Sequence, residues 1–129
     1  MTRDIIATDK APGAVGPYSQ GIRTDQLVFT AGQVPLDPAT GILVTGPIED
    51  QTRRVLDNVR AVLEAAGTGL DRVVKMTVFM TDLGDFKRMN AVYAEYFPTA
   101  PPARSAVQVG ALPLGAEIEM EAVALISNS

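Results

Sequence analysis

The chain has 129 residues, of which 47% are hydrophobic, and a formal net charge of −4 at neutral pH. This size and apolar content suit one domain spanning residues 1–129, because domains most often hold about 100 to 150 residues. The chain contains neither cysteine nor histidine, which excludes Cys-His and Ser-His-Asp nucleophiles and the common zinc sites, so we expect no metal site.

The composition also bears on location and partners. No segment has the apolar length of a signal peptide or approaches the roughly 18 apolar residues of a membrane helix. We therefore expect a cytoplasmic protein with no membrane partner, and the lack of cysteine fits a reducing compartment. The basic residues are scattered along an acidic chain, which disfavours a nucleic-acid partner because such binding usually leaves a basic patch.

In chain order, the first clear elements are a hairpin and a helix. Residues 27–31 are β-rich, and residues 19–24 can pair with them across a short polar turn. Apolar residues then recur at helical spacing over residues 48–66, and Gly67 follows as a stop signal. These patterns predict two antiparallel strands followed by an amphipathic helix.

A strand and a second helix come next. Residues 73–81 are rich in apolar and β-branched side chains, which indicates a strand. Asp82 or Asp85 can cap a helix that runs to Phe97, because prolines follow directly after that residue.

The last two strands are predicted at residues 104–111 and 117–126, with residues 112–116 as a hairpin connection. Arg104 and Glu119 would then lie on neighbouring strands. The element order is ββαβαββ after a short N-terminal strand. Because each helix has one apolar stripe, this order predicts an α+β fold in which two helices pack on one face of a mixed β-sheet.

The final strand has two different faces. Alternate residues from Ile118 to Ile126 are apolar, whereas the other face is acidic at one end and apolar at the other. No further helix is predicted to cover the second face, so its apolar end suggests self-association.

Three motifs resemble one known family. Residues 102–112 read PARSAVQVGAL, and the IEM of residues 118–120 follows them. Together with GPYSQG at residues 16–21 and AGQVP at residues 31–35, they resemble the signature of the reactive intermediate deaminase family, known as RidA, YjgF or L-PSP-like. The resemblance runs over nearly the whole chain.

This resemblance implies a chorismate-mutase-like fold assembled as a homotrimer, with clefts at the subunit boundaries. It also implies the activity of a 2-iminobutanoate/2-iminopropanoate deaminase, a hydrolase that converts 2-aminoacrylate and 2-iminobutyrate to 2-oxo acids and ammonia. The implied substrates are products of pyridoxal-phosphate-dependent dehydratases. Hydrolysis of such an imine needs an anion anchor, a positioned water and proton transfer, with no metal or covalent intermediate, so we expect no cofactor.

Two residues are the catalytic candidates. From composition alone, Arg104 reads more readily as a surface arginine paired with an acid, but the resemblance implies that it binds the substrate carboxylate. Glu119 is the middle of three alternate glutamates, whose like charges should raise the pKa of at least one of them. A solvated acidic face is the simpler interpretation, whereas the resemblance implies that Glu119 positions and deprotonates water.

Four further residues are candidates for substrate binding. Asn90 shares an apolar helical stripe with Phe86 and Tyr93 and could serve either a core or a site. Tyr18 lies in a Gly/Pro-framed bend, where simple packing is the alternative. The resemblance implies that Asn90 and Tyr18 border the cleft and that the backbone of Gly32 approaches the ligand. Backbone groups of Ala106 could also bond the ligand. Ala31 and Ala106 replace a serine and a cysteine that are common in the family, which argues against a hydroxyl or thiol nucleophile.

Two other functions remain open from the sequence. The arginine and its cleft could belong to a non-catalytic binder or sensor of 2-oxo acids or other small carboxylates. RNA cleavage or translation inhibition, attributed to some members of the family, is a distant third because the chain is acidic and lacks histidine.

Overall fold

The computed structural model describes residues 2–126; the predicted domain also includes residues 1 and 127–129, which lie outside this range. The elements are β1 Asp4–Ile6, β2 Gly21–Arg23, β3 Leu27–Thr30, α1 Ile48–Ala65, β4 Val73–Met80, α2 Phe86–Tyr96, β5 Ala103–Gln108 and β6 Ile118–Leu125. The six strands form one mixed sheet in the order β1-β2-β3-β6-β4-β5. None of the helices within residues 2–126 combines the length and hydropathy that a membrane span requires.

One apolar core lies between the sheet and the two helices. Alternate residues of β6, from Ile118 to Ala124, are almost fully buried, as are Met76, Val78 and Met80 of β4. They pack against buried side chains of both α1 and α2, so the two helices cover the same face of the sheet. Burying each large apolar side chain contributes about 1.5–3 kcal/mol. The predicted α+β fold is confirmed.

The predicted hairpin and first helix are also confirmed. In the hairpin, Ile22 of β2 pairs with Phe29 of β3 in antiparallel register. At the end of α1, Gly67 adopts a φ of +87°, and its N–H donates to the carbonyl of Glu64. A positive φ favours glycine, so the chain leaves the helix where the sequence predicts.

The predicted hairpin between the last two strands is wrong. β5 is an edge strand that pairs in parallel with β4, and β6 pairs in antiparallel register with the other side of β4. Residues 112–116 therefore carry the chain across β4, and Arg104 and Glu119 do not lie on neighbouring strands. The physical reason is that α2 forms a crossover between β4 and β5, which makes them a parallel pair. The proline and glycine of the connection suit a two-strand hairpin and this longer crossing equally well.

The sheet face opposite the helices carries the predicted mixture of acidic and apolar residues. Phe29, Val107 and Leu125 are each 42% exposed there, while Glu119 and Glu121 lie toward the other end of β6. This distribution agrees with the sequence pattern, and self-association through this face stays a prediction.

Close packing at Gly21 generates a stability prediction. A Cβ at this position would lie 2.8 Å from Val62 Cγ1 and 3.2 Å from the carbonyl oxygen of Phe29. Val62 is buried and stiff, so we expect Gly21→Ala to destabilise the protein by about 1–3 kcal/mol. Gly110→Ala is the matched control, because a Cβ there would meet no atom within 4 Å, and its effect should stay within about 0.5 kcal/mol. Urea denaturation measures both, and equal free energies of unfolding for the two variants would contradict the prediction.

Candidate functional site

The candidate residues form two groups on opposite faces of the sheet. Arg104 pairs with Met76 of β4, and Glu119 pairs with Phe79 of the same strand. Paired residues share a face, whereas residues three apart on a regular strand face opposite sides. Arg104 is therefore on the face that the helices cover, and Glu119 is on the open face.

The arginine group consists of β5 and one side of α2. Arg104 Nη1 donates a hydrogen bond of 2.7 Å to Asn90 Oδ1. The guanidinium carbon lies 5.2 Å from the ring centroid of Phe86 and 4.7 Å from that of Tyr93. Phe86, Asn90 and Tyr93 occupy i, i+4 and i+7 positions, which face the same way on a helix. Ala106 is half-buried on the same side of β5, two residues after Arg104.

Arg104 differs from the arginines on the outer surface of the helices. Three of those form ion pairs with carboxylates: Arg53 with Glu95, Arg60 with Asp57, and Arg88 with Glu49. Within residues 2–126, no carboxylate lies at ion-pair distance from Arg104. A guanidinium has five N–H donors, and Asn90 accepts one of them. The geometry thus leaves donors that can bind a carboxylate bidentately, and it contradicts the simpler interpretation of a surface arginine paired with an acid.

The glutamate group lies at a cavity of about 420 Å³ on the other face. Glu119 is the one ionisable carboxylate among the described residues that line it, and most of the wall is apolar. The lining residues are Pro12, Gly13, Val15, Tyr18, Ala31, Gly32, Gln33, Val34, Leu36, Pro113, Leu114 and Glu119. The structure therefore brings together Tyr18, Gly32 and Glu119, and separately Asn90, Arg104 and Ala106.

Gly32 is packed directly against the Glu119 carboxylate. A Cβ at residue 32 would overlap Glu119 Oε2, so any larger residue would displace the carboxylate. The backbone of Gln33 exchanges two hydrogen bonds with that of Met120, with N···O distances of 2.8 and 3.1 Å. These bonds fix the Gly32 segment beside β6, and the absence of a side chain at residue 32 lets the carboxylate lie against its backbone.

The environment of Glu119 changes its acidity. Burial raises the pKa of the Glu119 carboxyl above its usual value, and the negative charge of Glu121 raises that pKa further. The sequence predicts a raised pKa from the row of glutamates, and the direction is confirmed, although burial is the larger cause. Glu117 has a different environment, because it accepts a hydrogen bond of 2.9 Å from Gln51 Nε2.

Two buried amides fix the loops that form the cavity wall. Gln20 accepts from the Thr8 N–H at 2.7 Å and donates to the Pro12 carbonyl at 2.7 Å. Asn58 of α1 donates to the carbonyls of Val34 and Leu36, at 3.2 and 2.8 Å. Because a buried amide that loses its partners costs free energy, these bonds hold both walls in place.

Sequence reasoning missed several contributors to the two groups. The sequence places Phe86 and Tyr93 only on an apolar helical stripe. Their spacing around Asn90 is the signal that could have revealed their contact with Arg104. Asn58 and Leu114 gave no such signal, because their partners are distant in the sequence. The described residues contain no group of three His, Cys, Asp or Glu side chains arranged to hold a metal ion.

Comparison with known proteins agrees with the family resemblance of the sequence motifs. A family model described as Endoribonuclease L-PSP matches residues 8–126. The chain belongs to the RidA/YjgF (L-PSP) family. It is 52% identical over 124 residues to a RutC family protein of Pyrococcus abyssi, which covers 96% of this chain and 98% of the relative.

Two further members of the family are informative. The human protein named 2-iminobutanoate/2-iminopropanoate deaminase is 45% identical over 125 residues, covering 97% of this chain and 91% of the relative. The crystal structure of E. coli TdcF with bound serine superposes with a TM-score of 0.92 at 46% identity, covering 96% of this chain and 99% of TdcF. The sequence-based assignment to the family is therefore confirmed.

The raised pKa of Glu119 in this RidA-family fold predicts a pH-dependent stability. The folded state binds a proton more readily than the unfolded state, so Glu119 costs stability as the pH rises from the ordinary glutamate range through the raised pKa. We expect Glu119→Gln to be more stable than wild type at pH 7 and to lose this advantage near pH 4. Denaturant unfolding at several pH values measures the difference. Glu64→Gln, on the exposed outer side of α1, is the control, and a Glu119→Gln advantage that does not change with pH would contradict titration of Glu119 as its cause.

Proposed function

We propose that this protein hydrolyses imines and enamines of 2-oxo acids, such as 2-iminobutyrate and 2-aminoacrylate, to the 2-oxo acid and ammonia. The observation that carries this proposal is an arginine with no carboxylate partner among residues 2–126, held by an amide and two aromatic rings. A single free guanidinium in a fixed orientation suits a small ligand with one carboxylate. The name of the human relative supports the same chemistry, and the serine bound by TdcF is a small ligand that carries one carboxylate.

The proposed reaction assigns one task to each group. Arg104 binds the substrate carboxylate, with Asn90 holding the guanidinium. Glu119 takes a proton from a water molecule as the water oxygen bonds to the carbon of the protonated imine, and the C=N electron pair passes to the nitrogen. Glu119 then returns this proton to the carbinolamine nitrogen and the C–N bond breaks. The hydroxyl group gives its proton to the departing ammonia, which leaves as ammonium as the carbonyl forms. A raised pKa suits this task, because a base works best when its pKa is close to the working pH.

The other candidates take supporting roles in this proposal. Tyr18 borders the substrate, and the backbones of Gly32 and Ala106 contact it. Residues 1–129 act as one domain, and no cofactor takes part. The reactive substrates come from pyridoxal-phosphate-dependent dehydratases, which release enamines from serine or threonine.

The complete site belongs to two copies of the chain in a homotrimer. This part of the proposal is supported by the positions of Arg104 and Glu119, because the sheet separates them within one chain. The Arg104 group of one copy meets the Glu119 group of the next. The exposed Phe29, Val107 and Leu125 on the open face provide apolar surface for such an assembly.

RNA cleavage is the alternative raised by the description of the family model. The chain has a net charge of −4, and ion pairs with carboxylates neutralise Arg53, Arg60 and Arg88 on the helix surface. A phosphate backbone needs a concentration of unpaired positive charge. These observations favour a small carboxylate over RNA as the ligand.

The proposed anchor makes a direct prediction about activity. When a threonine dehydratase generates 2-iminobutyrate, wild-type protein should accelerate the formation of 2-oxobutyrate. Arg104→Ala should lower kcat/KM about 100-fold or more, because it removes a charged partner of the substrate carboxylate. Arg53→Ala is the control, since it removes an arginine that pairs with Glu95 on the exposed helix surface, and it should retain full activity. If wild type binds 2-oxobutyrate but does not accelerate its formation, the protein is a carboxylate sensor and the deaminase proposal fails.

The shared site makes a second prediction. Arg104→Ala and Glu119→Ala subunits, each inactive alone, should together recover about a quarter of wild-type activity after unfolding and refolding in equal amounts. A heterologous interface joins one patch of each copy to a different patch of the next. At some boundaries between the two variants, an intact Arg104 of one subunit therefore meets an intact Glu119 of the other. The coupled dehydratase assay measures the recovery. Separate refolding followed by mixing is the control, and no recovery in co-refolded trimers would show that one chain supplies both residues.

A further inference from the structure

Two aromatic rings of α2 enclose the Arg104 guanidinium. The ring centroids of Phe86 and Tyr93 lie 5.2 and 4.7 Å from its central carbon. These residues are seven positions apart, which corresponds to about 10 Å along a helix axis. The guanidinium therefore contacts rings that lie two helical turns apart, and Asn90, about one turn after Phe86, accepts its hydrogen bond.

Tyr93 makes this contact with its ring. Its hydroxyl is buried and has no hydrogen-bond partner among residues 2–126. The ring packs against Phe97 with a centroid distance of 4.7 Å, which limits its movement. Burial raises the pKa of the Tyr93 phenol, although the charge of Arg104 opposes this change, so the residue presents a neutral ring at physiological pH.

We infer that Phe86 and Tyr93 are positioning residues for the anion anchor: their rings hold the Arg104 guanidinium so that its unbonded N–H groups are oriented for the substrate carboxylate. An arginine side chain has many rotamers, and fixing one of them costs entropy when a ligand binds. Rings that fix the guanidinium beforehand reduce this cost. The inference rests on the proposed function for the identity of the ligand, whereas the contacts with the rings do not depend on it.

The expected effect is on substrate binding. A carboxylate that does not react makes the same contact in the ground state and in the transition state. Loss of a ring should therefore raise KM and leave kcat nearly unchanged. A merely structural role in the core would instead lower the stability and the amount of active protein.

The helix provides a matched control for this test. Tyr96 also lies under an arginine, because the Arg60 guanidinium carbon is 5.4 Å from its ring centroid. Its hydroxyl donates to Asp57 Oδ1 at 2.9 Å. Tyr96→Leu thus removes an aromatic ring and a cation–π contact from the same helix, away from Arg104.

The experiment compares four proteins: wild type, Phe86→Leu, Tyr93→Phe and Tyr96→Leu. It measures KM and kcat for 2-iminobutyrate in the dehydratase-coupled assay, the Kd of 2-oxobutyrate by calorimetry, and the thermal midpoint. Phe86→Leu should raise KM and Kd about threefold to tenfold with kcat within about twofold. Tyr93→Phe keeps the ring and should change neither constant by more than about twofold, and Tyr96→Leu should behave likewise.

The outcomes separate this inference from the proposed function. Weaker 2-oxobutyrate binding by Phe86→Leu alone supports the positioning role even if wild type hydrolyses no imine, in which case only the deaminase proposal fails. Hydrolysis by wild type with the same KM and Kd in Phe86→Leu overturns the positioning role and leaves the deaminase proposal intact. An equal rise of KM in Tyr96→Leu also overturns it, because the effect would then report the stability of α2. If wild type neither hydrolyses the imine nor binds 2-oxobutyrate, both are overturned.

Discussion

The alternation of buried and exposed residues along β6 is the constraint on which the rest of the structure depends. β6 lies between β3 and β4, and its residues Ile118 to Ala124 on the helix side are almost fully buried. A shift of its register by one residue would turn Met120 outward and place the Glu119 carboxylate in the core. Because an unpaired buried charge is very costly, the same packing that stabilises the sheet also keeps Glu119 on the open face.

The sheet separates two environments that differ in their chemistry. On the helix side, Arg104 is held by Asn90 and two rings. On the open side, an apolar cavity raises the pKa of Glu119. Within one chain the sheet keeps the Arg104 guanidinium and the Glu119 carboxylate on opposite faces, so the two groups do not form an ion pair with each other.

Buried amides connect the loops of the cavity to the rigid elements. Gln20 holds the chain near Thr8 and Pro12, and Asn58 holds the carbonyls of Val34 and Leu36. Each unsatisfied buried partner would cost about 1–3 kcal/mol, so the loops keep a defined position. The shape of the cavity thus depends on side chains that do not line it.

The sequence by itself determined the element types, the covered face of the sheet and the family, because apolar periodicity and short motifs are local properties. It also placed Asn90 on one helical stripe with Phe86 and Tyr93, and it indicated the raised pKa of Glu119 from neighbouring charges. Only the tertiary structure decided that β4 lies between β5 and β6, that Gly32 packs against the Glu119 carboxylate, and that two aromatic rings contact Arg104. These features depend on strand order and on contacts between residues distant in the sequence, and a local pattern of turns and apolar residues is compatible with more than one such arrangement.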